Sequence, residues 1–337
     1  MKSVIYSRTG DPSVLRLVDR DVAEPGPGEV RVRILVSGVN PTDWKSRRGS
    51  GNNAPPPFPE VTPNQDGAGV VDALGEGVDN LAMGDRVWVY LAGHERPTGT
   101  AQEYTNLPAA RVVRLPPGVS FDIGASLGVP AMTAHRTLTV SEDGPDRLSP
   151  GALAGAVVLV AGGAGAVGHA AIQLARWAGA TVITTISSHA KAALAVSAGA
   201  HHVINYRDED AAAAIRKVAP DGVDLVVEVA IAANAQLNLD VVKPRSSIAI
   251  YANARRPRVH PRRQTEHDQE PALPICSALH SRRCRPDGGG GRHHPRTGRR
   301  SVTGGGERWP AAAQVCARQH SRRPPGCPGR RSWKSTH

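Results

Sequence analysis

Cysteine is missing from the first 254 residues of this 337-residue chain, because all four cysteines lie at position 276 or beyond. A four-cysteine structural zinc therefore cannot form within residues 1–254. No stretch approaches roughly 18 uncharged apolar residues, which excludes a membrane-spanning helix. No apolar leader precedes the strand-like start at Met1, so we expect a cytoplasmic protein.

The net charge of +11 is concentrated at one end of the chain. Residues 255–337 hold 18 Arg, one Lys and five acidic residues, whereas residues 1–254 hold 22 basic and 25 acidic residues. Residues 1–254 therefore carry −3 and residues 255–337 carry +14. Seven of the 13 histidines also follow residue 254. Two compositions are joined in one chain, and each requires its own interpretation.

Short alternating stretches separated by Gly/Pro turns fill the first 120 residues. A β domain with many short strands is typically a barrel or sandwich, so this pattern predicts a barrel-like β domain over residues 1–120. The strand-like stretches are Arg31–Val36, Val70-Val71, Arg86–Tyr90 and Thr105–Leu115.

The period of the sequence changes after residue 120. Asp122 to Leu138 is predicted as a helix, with a kink at Pro130. Strand and helix patterns then alternate through residue 254, which is typical of a doubly wound parallel sheet. The sequence thus predicts an α/β domain over residues 121–254.

A glycine-rich turn follows the apolar stretch Ala156–Val160 and precedes a helical stretch that ends near Gly179. Strand, glycine turn and helix together are the context that dinucleotide binding requires. Glycines let backbone N–H groups approach a pyrophosphate, which then lies at the positive end of the helix. The alternative is a tight turn without a ligand. The predicted cofactor-binding residues are Gly162, Gly163, Ala164, Gly165, Ala166, Val167 and Gly168.

The end of the next strand, Thr181–Ile186, indicates which dinucleotide binds. An NAD enzyme places a carboxylate there to bind the ribose 2′-hydroxyl. This chain instead has Ser187-Ser188-His189-Ala190-Lys191. Hydroxyls and a lysine favour a 2′-phosphate, so the sequence predicts NADPH. Alternatively, Lys191 is an ordinary solvated residue in the first turn of a helix.

Several ordered motifs resemble the medium-chain dehydrogenase/reductase superfamily, in its zinc-free quinone oxidoreductase branch (zeta-crystallin-like). The resemblance covers residues 1–254, and it implies a GroES-like β domain, a Rossmann domain, and NADPH in the cleft between them. The motifs are Gly38-Val39-Asn40-Pro41-Thr42-Asp43-Trp44, Gln65-Asp66-Gly67-Ala68-Gly69-Val70-Val71, Gly84-Asp85-Arg86-Val87, Gly99-Thr100-Ala101-Gln102-Glu103-Tyr104, Pro130-Ala131-Met132-Thr133-Ala134 and Val203-Ile204-Asn205-Tyr206-Arg207.

The resemblance also bears on the metal. Alcohol dehydrogenases of the superfamily hold a catalytic zinc with a Cys near the position of Asn40 and a His-Glu pair near Gln65-Asp66. Without a Lewis acid, an unactivated ketone is hard to polarise, whereas quinones and conjugated enones delocalise the incoming charge. The expected reaction is hydride transfer from NADPH to a small quinone or enone, with no metal and no dedicated general acid.

Site residues follow from the resemblance position by position. Asp43 is expected to be a helix cap and His135 a helix-surface residue. Two of the implied residues have an alternative, structural interpretation. Tyr206 is then a half-buried aromatic at a strand end, and Asn40 only starts an Asn-Pro turn. The implied residues are Ala164, Gly165, Ala166 and Val167 at the pyrophosphate; Ser188, Lys191 and Tyr206 near the 2′-phosphate; Thr133, Ile250, Tyr251 and Ala252 near the nicotinamide; and Asn40 and Lys45 lining the cleft.

The segment after residue 254 departs from the family pattern. It is rich in Arg, Pro and Gly and poor in large apolar residues, so we expect low order and an unpaired sheet edge beside it. Three interpretations compete: a basic arm that binds nucleic acid, a Cys/His metal segment, and an out-of-frame translation of a GC-rich gene. The cysteines lack C-x-x-C spacing, and Trp309 and Trp333 are too sparse for base stacking.

We favour the out-of-frame interpretation. Reading one nucleotide later across residues 267–281 permits Met-Thr-Lys-Asn-Leu-Arg-Tyr-Gln-Phe-Val-Leu-Leu-Tyr-Thr, which has the strand-like character that the family shows there. The alternative function is a catalytically inactive Rossmann protein whose basic tail binds nucleic acid or acidic surfaces. A homodimer is expected if the fold is complete.

Overall fold

The computed structural model describes residues 1–49, residues 55–252 and the backbone of residues 276–277. Over these residues the chain forms two compact units, which divide between Met132 and Thr133. The predictions for the rest of residues 255–337 lie outside the described residues. Within the described part, no helix is long and apolar enough to cross a membrane.

The first unit is built from seven short antiparallel strands in two sheets. They are β1 (Lys2–Ile5), β2 (Arg16–Asp19), β3 (Glu29–Gly38), β4 (Asp66–Leu74), β5 (Arg86–Val89), β6 (Tyr104–Pro108) and β7 (Val112–Arg114). β1 pairs with β2, and the other five form one sheet in the order β6-β3-β4-β5-β7. Val30, Val32, Val87 and Leu107 are fully buried in its core. The predicted GroES-like β domain is confirmed.

Two strands occupy the stretch for which the sequence predicts one, Thr105–Leu115. β6 and β7 lie at opposite edges of the five-stranded sheet. β6 ends at Pro108, which has no N–H to continue the ladder, and Ala109–Arg111 form a 3-10 turn. That turn joins the two edge strands of the sheet, and an alternating pattern alone does not reveal it.

Two of the three α-helices between residues 41 and 138 have a proline in their first turn. α1 (Pro41–Arg48) has Pro41 at its first position, where the missing N–H costs no intrahelical bond. The predicted helix over 122–138 is two helices, α2 (Phe121–Ala125) and α3 (Gly128–Leu138). The interruption precedes Pro130, which lies in the first turn of α3 and is tolerated there.

The second unit is a six-stranded parallel sheet with four helices. The strands are β8 (Val157–Ala161), β9 (Thr181–Ile186), β10 (His202–Asn205), β11 (Val223–Glu228), β12 (Val242–Ile250) and β13 (Cys276–Ser277). The helices are α4 (Ala166–Trp177), α5 (His189–Ala198), α6 (Ala211–Val218) and α7 (Ile231–Val241). The strand order is β10-β9-β8-β11-β12-β13, which confirms the predicted doubly wound sheet.

The reversal of strand order positions the site in this unit. β9 and β10 continue to one side of β8, and β11 and β12 continue to the other. Open parallel sheets bind ligands beyond the carboxyl ends of their strands at such a reversal. The glycine-rich turn lies at that end of β8.

The edge of this sheet differs from the sequence prediction at two residues. We expected β12 to be an unpaired edge strand, but the backbone of Cys276–Ser277 pairs with Ala249 and Ile250 in parallel. A parallel ladder is formed by backbone groups, so a segment without strand periodicity can still contribute two residues.

Candidate functional site

The turn after β8 is packed so tightly that several of its positions accept only glycine. Gly162 has a φ of +70°, which glycine adopts without strain. A Cβ atom on Gly163 would lie 2.2 Å from Oγ1 of Thr184, and one on Gly168 would lie 2.4 Å from the carbonyl oxygen of Gly162. Helix α4 can therefore start directly against the end of β8.

The N-terminus of α4 is open to a ligand. Its N-cap, Gly165, has no side chain to accept the first N–H groups, and Ala166 is exposed. The first helical bond is donated by the N–H of His169, so the N–H groups of Ala166 and Val167 have no partner among the described residues. Unpaired N–H groups at a helix start attract anions. Ala171 and Leu174, further along the helix, are fully buried.

The start of α5 holds two of the three residues predicted near the 2′-phosphate. Ser188 is its N-cap, and its side chain accepts no capping hydrogen bond. The ammonium of Lys191 donates to Oγ of Ser187 at 2.8 Å, rather than to Ser188. Among the described residues this end of β9 carries hydroxyls and a cation, which suits a phosphate.

The end of β10 brings the third predicted residue and an acid to the same edge of the sheet. Asn205 pairs with Ile186, and the next residue, Tyr206, is 51% exposed. The carboxylate of Asp208 accepts a hydrogen bond from Nδ2 of Asn205 and lies 4.0 Å from Nε2 of His189. This acid, which the sequence argument missed, opposes the binding of an anion beside α5.

Residues 250–252 lie at the end of β12, whose last residue is Ile250. Ile250 pairs with Glu228, and the N–H of Tyr251 donates to the carbonyl oxygen of Glu228 at 3.1 Å. Burial and the charge of Glu228 raise the pKa of the Tyr251 hydroxyl, so that side chain is neutral. Ala252 is half-buried beside it. These residues lie at the carboxyl end of the sheet.

The carboxylate of Glu228 is fully buried at the end of β11. It accepts hydrogen bonds from the N–H of Ala230 and from the side-chain amides of Asn234 and Asn238. Three donors satisfy a buried charge, and they fix the start of α7 to β11. The only sequence signal for this group is one carboxylate at the end of an apolar strand.

A second group of polar residues lies in the first unit, around Asn40. Nδ2 of Asn40 donates to Oδ2 of Asp66 at 2.7 Å, and the N–H of Asn40 donates to Oδ2 of Asp43 at 2.6 Å. Asp43 is therefore part of the N-terminal cap of α1, as predicted. All three side chains are buried.

Burial changes the protonation of both carboxyls. It raises the pKa of Asp43 to about 6, although the backbone N–H groups of Asn40 and Gln65 act to lower it. It raises the pKa of Asp66 to about 7, against the hydrogen bonds from Asn40 and Val129. The nearby carboxyl of Asp43 also raises the pKa of Asp66, because the two negative charges repel each other.

The remaining predicted residues lie on helices. Lys45 is exposed on α1, with its ammonium 5.7 Å from the centre of the Trp44 ring. Thr133 is half-buried on α3, and so is His135, which we expected on the helix surface. Burial and the charges of Arg147 and Arg136 lower the pKa of His135, so it is neutral at pH 7. A cavity of about 500 Å³ beside Arg8 and Asp11 includes none of these residues.

Zinc does not suit the donors around Asn40. Asn40 and Gln65 bear neutral amides, and the Asn40 amide is a donor to Asp66. Zinc requires thiolate, imidazole or carboxylate ligands, and here only the carboxyls of Asp43 and Asp66 are of that kind, each already hydrogen-bonded to Asn40. No cluster of three or more His, Cys, Asp or Glu residues suited to a metal occurs in the described part of the chain.

Comparison with known proteins defines the class. Residues 26–117 match the alcohol dehydrogenase GroES-like domain, and residues 166–268 match the family described as zinc-binding dehydrogenase. A Burkholderia 2-haloacrylate reductase is 32% identical over 257 residues, 75% of this chain and 73% of that protein. The Lama guanicoe quinone oxidoreductase is 33% identical over 265 residues, 78% of this chain and 76% of that protein.

Solved structures agree with this class. Escherichia coli quinone oxidoreductase complexed with NADPH has a TM-score of 0.62 and 28% identity, over 75% of this chain and 73% of that chain. The chain therefore belongs to the medium-chain dehydrogenase/reductase superfamily. Within it, the chain falls in the quinone oxidoreductase branch. It is an oxidoreductase with a nicotinamide cofactor and a small-molecule substrate.

Proposed function

We propose that the chain is an NADPH-dependent, zinc-free reductase that transfers hydride to a quinone or an enone. The open N-terminus of α4 behind the Gly162–Gly168 turn carries this proposal. Two unpaired N–H groups there suit a pyrophosphate. The relatives named as quinone oxidoreductase and 2-haloacrylate reductase support the substrate class. A homodimer and a cytoplasmic location stay predictions from the sequence.

NADPH supplies the hydride when it is bound. In the second unit, the α4 N-terminus binds the pyrophosphate, and Ser188 and Lys191 bind the 2′-phosphate. The fixed strand ends at Glu228 and Tyr251 shape the space beyond the sheet. These groups bind and orient, which is what hydride transfer between two positioned π systems requires of the protein.

The first unit provides polar groups around Asn40 for the substrate. Asn40 is held by Asp43 and Asp66, and its side chain is the candidate for contacting the substrate oxygen. Negative charge develops on that oxygen during reduction, and an amide N–H stabilises it. Quinones and enones delocalise this charge, so a neutral donor is sufficient in place of a Lewis acid.

Cofactor binding at α4 is tested by Ala166→Asp. A carboxylate in the first turn stabilises a helix through its dipole but repels a pyrophosphate at the same N–H groups. NADPH affinity, measured by fluorescence titration, should fall at least tenfold, or about 1.4 kcal/mol. The midpoint of thermal unfolding should not fall.

Ala213→Asp is the matched control, because it places an acid in the first turn of another helix, α6, at an exposed alanine. This variant should bind NADPH like the wild type. Equal affinity in Ala166→Asp and Ala213→Asp would contradict the proposal and leave the turn as a purely structural feature.

A further inference from the structure

Asp66, at the first position of β4, is a buried carboxyl that the proposed reaction does not use directly. It has no exposed surface, and its Oδ2 accepts from Nδ2 of Asn40 at 2.7 Å and from the N–H of Val129 at 2.8 Å. Val129 is the second residue of α3, so the carboxyl also caps that helix. One oxygen atom therefore joins the loop of Asn40 to the start of α3.

The surrounding backbone leaves space for this carboxyl alone. A Cβ atom on Gly128 would lie 2.1 Å from Oδ1 of Asp66. A Cβ atom on Gly38, the strand partner of Asp66, would lie 3.2 Å from the Asp66 Cβ and 2.4 Å from a carbonyl oxygen. Two glycines thus permit close approach from two directions.

Stability alone does not account for Asp66. Its Oδ1 is buried without a hydrogen-bond partner among the described residues. Such an atom costs about 1–3 kcal/mol, and an apolar side chain in this place would avoid that cost. A buried polar atom left unpaired in a folded protein calls for an explanation by function.

The contact determines the orientation of the Asn40 amide. Oδ2 of Asp66 already accepts from the backbone N–H of Val129, so it acts as an acceptor, and Asn40 must turn its Nδ2 toward it. The second N–H of that nitrogen has no acceptor among the described residues. Of the two orientations of the amide about χ2, the contact with Asp66 thus selects the one that turns the nitrogen toward the carboxyl.

We propose that Asp66 is a positioning residue of the reductase, which holds the Asn40 amide with its free N–H available to the substrate oxygen. This inference rests on the proposed function. Asp66 itself touches no substrate, because none of its surface is exposed, whereas 6% of the surface of Asn40 is exposed. The role needs an acceptor oxygen at the position of Oδ2 and does not need a negative charge.

The test is a double-mutant cycle on kcat for quinone reduction by the full chain. Asp66→Ala and Asn40→Ala should each lower kcat roughly tenfold, the effect of one lost hydrogen bond of about 1.4 kcal/mol. The double variant should be no slower than Asn40→Ala, since Asp66 acts only through Asn40. The Kd for NADPH should stay unchanged in all three variants.

The conservative variant separates orientation from charge. Asp66→Asn keeps an acceptor oxygen for Asn40 and Val129, so its kcat should stay within about threefold of the wild type. A loss equal to that of Asp66→Ala would overturn the orientation role and assign the effect to the charge or to a proton. Additive losses in the double variant would overturn it as well.

Two further outcomes are distinguishable. If Asp66→Ala does not fold, Asp66→Glu replaces it, because the extra methylene displaces the carboxyl from Asn40 and should give the same loss. A wild-type chain without turnover would overturn the proposed function and this inference together. An active wild type with an equally active Asp66→Ala would overturn this inference alone.

Discussion

The ammonium of Lys191 lies 2.8 Å from Oγ of Ser187, at the start of α5. The pair places a cation and a hydroxyl at the end of β9, where an enzyme specific for NADH has a carboxylate. A 2′-phosphate is the one group by which NADPH differs from NADH at this position. The discrimination between the two cofactors should therefore depend on Lys191.

Lys191→Ala should lower the affinity for NADPH roughly ten- to a hundredfold, because a hydrogen bond to a charged group contributes about 1.5–3 kcal/mol. The affinity for NADH should barely change, since that cofactor has no phosphate there. The loss should shrink at high salt, because the ion pair is partly exposed. Fluorescence titrations with both cofactors measure this, and exposed Lys217 on α6 provides the control, Lys217→Ala. An equal loss for both cofactors would mean that Lys191 supports the helix.

Asp208 should have the opposite effect. Its carboxylate lies 4.0 Å from the ring of His189, the first residue of α5, and repels an anion bound there. Asp208→Asn removes this charge and keeps an oxygen that can accept from Asn205. The ratio of the NADH to the NADPH dissociation constant should rise about two- to fivefold, in line with a partly screened charge. Asp221→Asn is the control at an exposed acid elsewhere, and a ratio unchanged in both variants would exclude Asp208 from the phosphate site.

The stability of the chain should depend on pH through Asp43 and Asp66. Burial raises the pKa of these carboxyls from the ordinary 3.8 to about 6 and about 7, so the folded chain binds more protons than the unfolded chain between those values. Their contribution is complete below pH 3.8 and is lost as the pH rises through 6 and 7. The part of the free energy of unfolding that they supply should therefore fall from pH 4 to pH 7.

Urea denaturation at several pH values measures this dependence. Asp43→Asn should flatten it around pH 4–6, because an amide does not titrate but still accepts from the N–H of Asn40. Asp19→Asn, at an exposed residue on β2, should leave the dependence as it is in the wild type. A pH dependence that is identical in Asp43→Asn and the wild type would contradict the assignment.

The regular elements of the second unit could be predicted closely from the sequence. The stretch Thr181–Ile186 is β9 to the residue, and the apolar stretch before Gly162 is β8 shifted by one residue. Buried parallel strands are continuous apolar runs between glycine turns, so their pattern is strong. The turn at Gly162–Gly168 could also be predicted, because its close contacts leave room only for glycine and the glycines are visible in the sequence.

Contacts between distant segments could not be predicted in this way. The hydrogen bonds of Asp66 to Asn40 and Val129 join positions far apart in the chain. The family resemblance places Asn40 and Asp66 in one site, but nothing in the sequence signals the bond to Val129. The buried amide network of Glu228 is hidden for the same reason. The out-of-frame interpretation of residues 255–337 lies outside the described residues, and sequencing of codons 250–265 tests it.

The most direct test of the account is NADPH oxidation by the full chain in the presence of a quinone or an enone, followed by absorbance with and without a strong zinc chelator. We expect turnover with NADPH, slower turnover with NADH at equal concentration, and rates that the chelator does not change. Turnover that the chelator abolishes, in a protein with stoichiometric zinc, would contradict the zinc-free mechanism. Absence of NADPH oxidation with every quinone and enone would contradict the reductase itself.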